Sequence, residues 1–342
     1  MNKSYVLAII SIIISVILTP IIKKFAIKIK AIDIPKDNRR IHKKPIPLLG
    51  GLSIYFSFII TIILKTGQMS KSELGIVIGA TIIVIGGFLD DKFDIKPWKK
   101  LMFQIASAVC LIVYGVRITL ITNPISSHEL YVNIGILSIP LTIIWVVGIT
   151  NALNLIDGLD GLAAGVAFIS ALTIFIIAVL NNRVEASTLT IILSGAILGF
   201  LPYNFNPASI FMGDTGAQLL GFLLAAISIE GAIKSAAAFA IAVPILALGI
   251  PIYDTLFAMI RRKLNGKPIM QADKGHLHHR LLDMGLTQKQ AVVIMYLISA
   301  VLGSFAIIAM QMSTQRSYFL LAMVMIVLVI TAWRFGFFKQ RE

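Results

Sequence analysis

The 342-residue chain contains one cysteine, Cys110, and few acidic residues. A single cysteine excludes an intrachain disulfide and a zinc site built from cysteines, and its place inside an apolar run is typical of a small buried side chain. Asp and Glu number 16 against 30 Lys and Arg, so the formal net charge is +14. The basic residues lie in short loops between apolar runs, which is first a signal of membrane topology. We therefore expect no nucleic-acid partner.

Long apolar runs are abundant. Hydrophobic residues make up 58% of the chain and charged residues 13%, a balance that no soluble domain of this length would tolerate. Eleven runs are long enough to cross about 30 Å of hydrocarbon. They lie near residues 4–22, 48–64, 74–89, 101–116, 136–156, 162–180, 188–202, 216–229, 236–259, 291–312 and 318–338. We predict an all-α polytopic membrane protein with about 11 transmembrane helices, forming a single domain over residues 1–342.

The basic residues also predict orientation. If all eleven runs cross, 23 of the 30 Lys and Arg lie on one face and 7 on the other, which puts the N-terminus outside and the C-terminus in the cytoplasm. The short run 216–229 is the weakest, but without it the loop from Arg261 to Lys289, with seven basic residues, would lie outside. All eleven aspartates then fall on or near the cytoplasmic face. We expect any chemistry there, at the plasma membrane.

The stretch "GGFLDDKFDIKPWKK", residues 86–100, concentrates carboxylates at the end of the third run. Asp94 follows Asp90 and Asp91 within about one helical turn, so the three share a face if the helix continues. Such a cluster needs a cation. Beside four lysines, a solvated acidic loop is the other interpretation.

The stretch "NALNLIDGLDGLAAG", residues 151–165, places four polar residues at successive i, i+3 positions where the fifth run ends. They are Asn151, Asn154, Asp157 and Asp160. Such a stripe is expensive near lipid, on the order of 2.5–3.5 kcal/mol for an aspartate at the bilayer centre. Helix capping and a tight turn could explain one Asp-Gly pair, but they do not easily explain two such pairs together with two asparagines.

The stretch "FNPASIFMGDTGAQLLGF", residues 205–222, sets Asp214 between glycines just before the eighth run. Free N–H groups at a helix start can meet phosphate while the carboxylate meets a metal. A plain N-cap is the alternative for Asp214. Phe211 is either an interface aromatic or a base-stacking surface.

Two basic segments complete the set. The loop after Arg261 carries His276, His278 and His279. Three interpretations of these histidines stay open: they bind zinc, they lie in a solvated loop, or they contact phosphate or transfer protons. Lys43 and Lys44 precede "PIPLLGG" and contact either anionic lipid or substrate phosphate. Carboxylates and cations on one face describe a magnesium-dependent site for a polyanionic substrate.

Five stretches together resemble the polyprenyl-phosphate N-acetylhexosamine-1-phosphate transferase family. They are "PIPLLGG", "GFLDDKFDIKP", "NALNLIDGLDGLAAG", "FMGDTGAQLLG" and "DKGHLHHRLLDMG", in family order between residues 45 and 285. The resemblance implies transfer of a sugar 1-phosphate from a UDP-N-acetylhexosamine to a polyprenyl phosphate within the membrane, with release of UMP. It implies Mg²⁺, with Mn²⁺ as an alternative, and by family analogy alone a homodimer.

The resemblance also implies residue roles. Asp90 and Asp91 would be the catalytic pair that engages lipid phosphate or metal, and the Mg²⁺ ligands would be Asp214, Asp91 and Asp157. The substrate-binding residues would be Lys43, Lys44, Asn151, Asn154, Asp157, Asp160, Phe211, His276, His278 and His279.

The histidine loop reads HLHH, whereas the muramoyl-pentapeptide branch of the family has an unbroken HHH. The spacing resembles the branch that uses UDP-N-acetylglucosamine, at the first membrane step of cell-wall or surface-glycan synthesis. The pentapeptide transferase remains the alternative within the family.

Other classes fit less well. A CDP-alcohol phosphotransferase would need an Ala-Arg pair where Ala163 and Ala164 stand. An aromatic prenyltransferase has no role for the glycine-flanked Asp214 or the histidine loop. An organophosphate transporter would call for charges in mid-membrane and paired broken helices, whereas these aspartates lie at the ends of runs.

The predicted orientation can be checked by thiol labelling. In a Cys110→Ala background, single cysteines at Ser126 and Gln271 are treated in intact cells with a membrane-impermeant reagent. We expect labelling at position 126 and protection at position 271 until the cells are permeabilised. The reverse pattern would contradict the orientation and the cytoplasmic site.

Overall fold

The computed structural model describes residues 2–35, 44–65, 67–122, 131–233, 242–266, 268, 275–312 and 314–334. Most of these residues are helical. The α-helices in chain order are α1 (Asn2–Lys28), α2 (Gly51–Leu64), α3 (Lys71–Phe93), α4 (Pro97–Val113), α5 (Ser138–Ile156), α6 (Leu162–Leu180), α7 (Val184–Asn204), α8 (Gly213–Ser228), α9 (Ala242–Ala247), α10 (Gly249–Leu264), α11 (Leu277–Asp283), α12 (Gln288–Gln311) and α13 (Thr314–Arg334). Within the described residues each predicted run coincides with a helix, except that the run 236–259 is divided between α9 and α10 from Ala242 onward. Residues 236–241 and 335–338 of the predicted runs lie outside the described residues.

Two short antiparallel ribbons accompany the helices. Strand β3 (Leu120–Thr122) pairs with β4 (Tyr131–Asn133), and this confirms the small hairpin that the weak alternation of residues 117–135 predicts. Strand β1 (Ile32–Asp33) pairs with β2 (Ile46–Pro47). The basic segment before α2 gave no period-two signal for this ribbon, since each strand has only two residues.

Apolar outer surfaces identify a multi-pass membrane protein. Seven helical segments in the described part of the chain are long and apolar enough to cross a membrane. They are Ser4–Lys28, Lys71–Phe93, Gly135–Ile156, Leu162–Leu180, Val184–Asn204, Gln288–Gln311 and Gln315–Arg334. On α13, Phe319 and Trp333 are each 74% exposed, as expected of side chains that face lipid. The count of eleven crossings and the orientation stay predictions.

Helix α8, from the weakest predicted run, lies at the centre of the fold. It packs against α2, α3, α5, α6 and α7, and every residue from Thr215 to Ser228 is buried. A helix that is apolar all round belongs in such a core. Because other helices surround it, its length need not match the bilayer, and a π-helical turn at Ile229–Ile233 extends it.

The break between α9 and α10 has an identifiable cause. Pro251 has no N–H, so the carbonyl of Ala247 lacks its usual helical donor. The Ser170 hydroxyl on α6 donates to that carbonyl at 2.8 Å. The broken helix is therefore held to α6 at its interruption.

The approach of α2 to α8 predicts a sharp difference between two glycines. A Cβ on Gly51 would lie 2.2 Å from the Cα of Gly216, whereas a Cβ on Gly148 in α5 would meet nothing within 4 Å. We expect Gly51→Ala to force α2 away from α8 and destabilise the protein by about 1–3 kcal/mol, as overpacking does. Gly148→Ala is the matched control and should leave the thermal unfolding midpoint in detergent unchanged or raise it slightly, because Ala favours a helix over Gly. Equal midpoints for the two variants would contradict the close approach.

Candidate active site

Ends of four helices meet at a cavity of about 570 Å³. The end of α3, the first turn of α4, the end of α5 and the start of α8 contribute its polar lining. The predicted residues that line it are Asp90, Asp91, Asn154, Asp157, Asp160, Phe211 and Asp214. The structure thus brings the three acidic motifs together, although some sixty residues separate each from the next.

A lysine lies at the centre of this cluster. The Lys100 ammonium forms an ion pair with Asp214 Oδ2 at 2.8 Å and another with Asp90. Asp214 Oδ1 accepts a hydrogen bond from Asn154 Nδ2 at 2.7 Å, and Asp90 Oδ1 accepts one from the Ile95 amide at 3.1 Å. Lys100 therefore neutralises two carboxylates that would otherwise repel each other.

In the sequence Lys100 is one of four lysines in the stretch 86–100, and nothing in its immediate neighbours distinguishes it from the others. What distinguishes Lys100 is its position in the first turn of α4. A short turn reverses the chain after α3 and brings this turn of α4 beside the last turn of α3. Burial alone would lower the pKa of Lys100, but the charges of Asp214 and Asp90 raise it above its ordinary value. The ammonium stays charged at neutral pH and available to an anionic ligand.

Asp91 caps the start of α8. Its Oδ1 accepts from the Asp214 amide at 2.8 Å, and its Oδ2 accepts from the amide and hydroxyl of Thr215 at 3.0 and 2.5 Å. Gly213 has a φ of +70°, and a Cβ there would lie 2.4 Å from Asp91 Oδ2, so glycine is required. This geometry gives Asp91 a positioning role beside Asp214, while its predicted roles in metal binding and catalysis stay predictions.

Asp157 and Asp160 are close in sequence but differ in surroundings. Burial raises the pKa of Asp157 to about 8, and the charges of Asp214, Asp91 and Asp160 add to the shift. A bound cation would favour its ionised form. Asp160 Oδ2 instead accepts from Asn206 Nδ2 at 2.9 Å and from the Ala208 amide at 3.0 Å. Asp160 thus anchors the loop that leads to Phe211.

Six predicted residues either do not line this cavity or lie outside the described residues. They are Lys43, Lys44, Asn151, His276, His278 and His279. Asn151 lies one turn from Asn154 and exchanges hydrogen bonds with Gln104. Lys44 lines a second cavity of about 760 Å³ together with Lys23. The two cavities adjoin, because Ile32, Asp160 and Gln288 line both. Lys43 lies outside the described residues.

The histidine segment packs against the first of the two Asp-Gly pairs, Asp157-Gly158. A Cβ on Gly158 would lie 2.5 Å from His278 Nε2, so this ring rests on the turn that follows Asp157. The rings of His276 and His279 pack on either side of it, at centroid distances of 5.9 and 4.2 Å. Burial lowers the pKa of His278 to about 3, with the neighbouring histidines adding to the shift. His278 is therefore neutral and packs behind Gly158, which lines the cavity.

Asp254 holds the histidine segment in place and was not among the predicted site residues. Its Oδ2 lies 2.8 Å from His276 Nδ1, and its Oδ1 accepts from the Leu277 amide at 2.8 Å. It is 5% exposed. A lone carboxylate within the apolar run 236–259 was the signal that could have identified it, since intramembrane ionisable residues are usually functional.

The acidic residues fit a loosely held magnesium ion. Within the described ranges, no group of three or more His, Cys, Asp or Glu side chains is arranged to hold a metal alone. Mg²⁺ usually takes only one or two carboxylates and fills its remaining positions with water and substrate phosphates. The carboxylates of Asp214 and Asp157 line one cavity and are of the kind that Mg²⁺ takes as oxygen ligands.

Comparison with known proteins gives a consistent set of relatives. Residues 73–232 match the model of glycosyl transferase family 4. The chain is 39% identical over its full length to a probable undecaprenyl-phosphate N-acetylglucosaminyl 1-phosphate transferase of Bacillus subtilis, of which it covers 94%. It is 34% identical over 81% of its length to the decaprenyl-phosphate N-acetylglucosaminephosphotransferase of Mycolicibacterium smegmatis, covering 74% of that protein. With the undecaprenyl-phosphate alpha-N-acetylglucosaminyl 1-phosphate transferase of Escherichia coli the identity is 28%, over 91% of this chain and 84% of the relative.

The contacts of Asp91 and Asp214 predict opposite behaviour in two variants. Asp91→Asn weakens the cap of α8, and loss of a cap costs about 0.5–2 kcal/mol, so we expect a lower thermal unfolding midpoint but a retained rise on adding Mg²⁺. Asp214→Asn leaves Lys100 paired with Asp90, so we expect a near-native midpoint and loss of the rise with Mg²⁺. Thr215→Val removes one donor to Asp91 and should follow Asp91→Asn. A normal response to Mg²⁺ in Asp214→Asn would contradict its role as a ligand.

Proposed function

Because the chain belongs to glycosyl transferase family 4, in the branch of polyprenyl-phosphate N-acetylglucosamine-1-phosphate transferases, we propose that it transfers N-acetylglucosamine 1-phosphate from UDP-N-acetylglucosamine to undecaprenyl phosphate. UMP is released. The observation that carries the proposal is the cavity at which Asp90, Lys100, Asn154 and Asp214 converge at the ends of helices in a membrane protein. There a lipid-borne phosphate can meet a nucleotide diphosphate.

The reaction exchanges one phosphoanhydride bond for another. An oxygen of the polyprenyl phosphate attacks the phosphorus that bears the sugar, and the bond from that phosphorus to the bridging oxygen of UDP breaks. The bridging oxygen leaves with its electron pair on UMP. The product is polyprenyl-diphosphate-linked N-acetylglucosamine, and the ionised acceptor phosphate needs no proton transfer to react.

The charges at the cavity suit this transfer. Phosphoryl transfer needs mainly positioning and neutralisation of charge. Lys100 lies between Asp90 and Asp214 and can turn toward a phosphate oxygen when a substrate enters. Asn154 donates to Asp214 and holds its carboxylate in place. Asp90 keeps the ammonium at the cavity through its ion pair with Lys100. Because positioning and charge neutralisation suffice for phosphoryl transfer, we prefer direct transfer over a mechanism with a covalent aspartyl intermediate.

Asp214 and Asp157 are the residues that would hold Mg²⁺ in this proposal. The ion would supply charge neutralisation at the diphosphate of the donor. The chain's own contribution is to keep the two carboxylates in place, through Asn154 at Asp214 and through the turn at Gly158 that follows Asp157. Mn²⁺ suits the same oxygen ligands.

We place this cavity on the cytoplasmic side of the plasma membrane. The partition of Lys and Arg supports that side, with eleven crossings, the N-terminus outside and the C-terminus in the cytoplasm. A soluble UDP-sugar is then available at the face where the helix ends meet. The homodimer remains an expectation from family analogy.

A purified-enzyme assay tests the proposal. Protein in detergent is incubated with Mg²⁺, undecaprenyl phosphate and one of three donors, and UMP release is measured. We expect turnover of UDP-N-acetylglucosamine and little or none of UDP-N-acetylmuramoyl-pentapeptide, because the short connections between the described helices offer no domain to bind a peptide. UDP-N-acetylgalactosamine should be rejected strongly only if a buried polar group contacts the sugar hydroxyl.

Two controls accompany the assay. Asp214→Asn should lower kcat by roughly 10²- to 10³-fold, as loss of one preorganised electrostatic group does. Without lipid acceptor, labelled UMP should not exchange into UDP-N-acetylglucosamine, and such exchange would contradict direct transfer. A higher specificity constant for the pentapeptide donor would place the protein in the peptidoglycan branch.

A further inference from the structure

A second group of polar side chains lies directly beneath the cavity. Gln104 Nε2 donates to Gln218 Oε1 at 3.2 Å and to Asn151 Oδ1 at 3.2 Å, and Asn151 Nδ2 donates to Gln104 Oε1 at 2.8 Å. Gln104 and Gln218 are each 2% exposed. The two glutamines therefore join α4 and α8 inside the helical bundle, and Asn151, which is exposed, extends the set of hydrogen bonds to α5.

Each amide belongs to the same helix as one residue of the charged cluster above it. Gln104 follows Lys100 by four residues on α4, and Gln218 follows Asp214 by four on α8. Asn151 precedes Asn154 by three on α5, whose end points toward the cavity. Residues at these spacings are neighbours on a helix face, with Cβ atoms about 5–6 Å apart. The structure thus has two polar layers, one turn apart, that use the same three helices.

Packing alone does not explain the lower layer. A buried amide is unfavourable unless its hydrogen bonds are satisfied. Apolar side chains would fill the same space without a polar group that needs a partner. Hydrogen bonds between amides are directional, however, so they restrict rotation of each helix about its own axis. That rotation decides whether Lys100, Asn154 and Asp214 point at one another.

We propose that Gln104 and Gln218, with Asn151, are positioning residues that hold Lys100, Asp214 and Asn154 in register for the phosphate and its cation. The kinetic consequences rest on the proposed function. Removal of groups that orient metal ligands from behind typically lowers metal affinity or activity by about 10- to 100-fold. We expect that loss in kcat, with little change in KM for the donor, because the donor's own contacts remain.

The test uses Gln104→Met, Gln218→Met and the double variant, since Met has a similar unbranched length. Gln104→Met leaves the buried Gln218 amide without its partner and should lower the thermal unfolding midpoint, whereas Gln218→Met leaves Gln104 paired with Asn151 and should lower it less. Replacing both partners by apolar groups is close to neutral for stability, so the double variant should regain much of the midpoint. Its kcat should remain about 10- to 100-fold low. Recovery of kcat together with stability would reduce the amides to packing and overturn the proposal.

Ser228→Ala is the matched control. The Ser228 hydroxyl accepts from Trp145 Nε1 at 3.1 Å, so it also joins α5 to α8, but roughly 21 Å along α8 from Asp214 at 1.5 Å per residue. We expect a lower unfolding midpoint with unchanged kcat per folded protein. The contrary outcome is that Ser228→Ala loses as much kcat as the glutamine variants do. That result would show that any loosening of α5 against α8 lowers kcat, and it would also overturn the proposal.

A measurement without turnover separates this proposal from the proposed function. The Mg²⁺ concentration that gives half of the maximal rise in unfolding midpoint is determined for each variant without substrates. We expect about a tenfold higher concentration for both glutamine variants and a wild-type value for Ser228→Ala. If the wild-type protein releases no UMP from any donor, the proposed function fails. The shift in the half-maximal Mg²⁺ concentration still decides whether the glutamines position the residues of the charged cluster.

Discussion

The ion pairs of Lys100 with Asp90 and Asp214 are the interaction on which the rest of the site depends. Gathering carboxylates where helices leave a membrane is unfavourable, because like charges at low dielectric repel strongly. A lysine between them offsets part of that repulsion without closing the cavity. It is also a group that a polyanionic substrate can attract, so the same interaction stabilises the unliganded site and prepares it for phosphate.

Close approach of backbones makes this arrangement possible. Glycines allow α2 to contact the first turn of α8, and Asp91 on α3 caps that turn from the side. Asp214 is therefore presented by a helix start that two neighbouring helices hold. Its carboxylate is free to face Lys100 and Asn154 because Asp91 already satisfies the amides that an N-terminal carboxylate might otherwise have capped.

The histidine segment closes the other side of the site. Asp254 on α10 fixes both His276 and the start of α11, and the neutral His278 lies on the Asp-Gly turn next to Asp157. This chain of contacts joins the broken helix to the acidic cluster. The histidines have different surroundings in the structure, although they are adjacent in one sequence motif.

The sequence by itself determined the membrane class, helix positions within a few residues, and seven of the residues that line the cavity. It did so because hydropathy and helix length respond to the bilayer, and because charged side chains at the ends of apolar runs need a partner. The structure alone decided which partner each residue has. Asp91 caps a helix and Asp160 anchors a loop, whereas Asp214 faces a lysine, yet all three are aspartates near glycine. Lys100, Gln104, Gln218 and Asp254 gained their roles from contacts between helices distant in sequence, and such contacts follow from how the helices pack and rotate, which local composition does not encode.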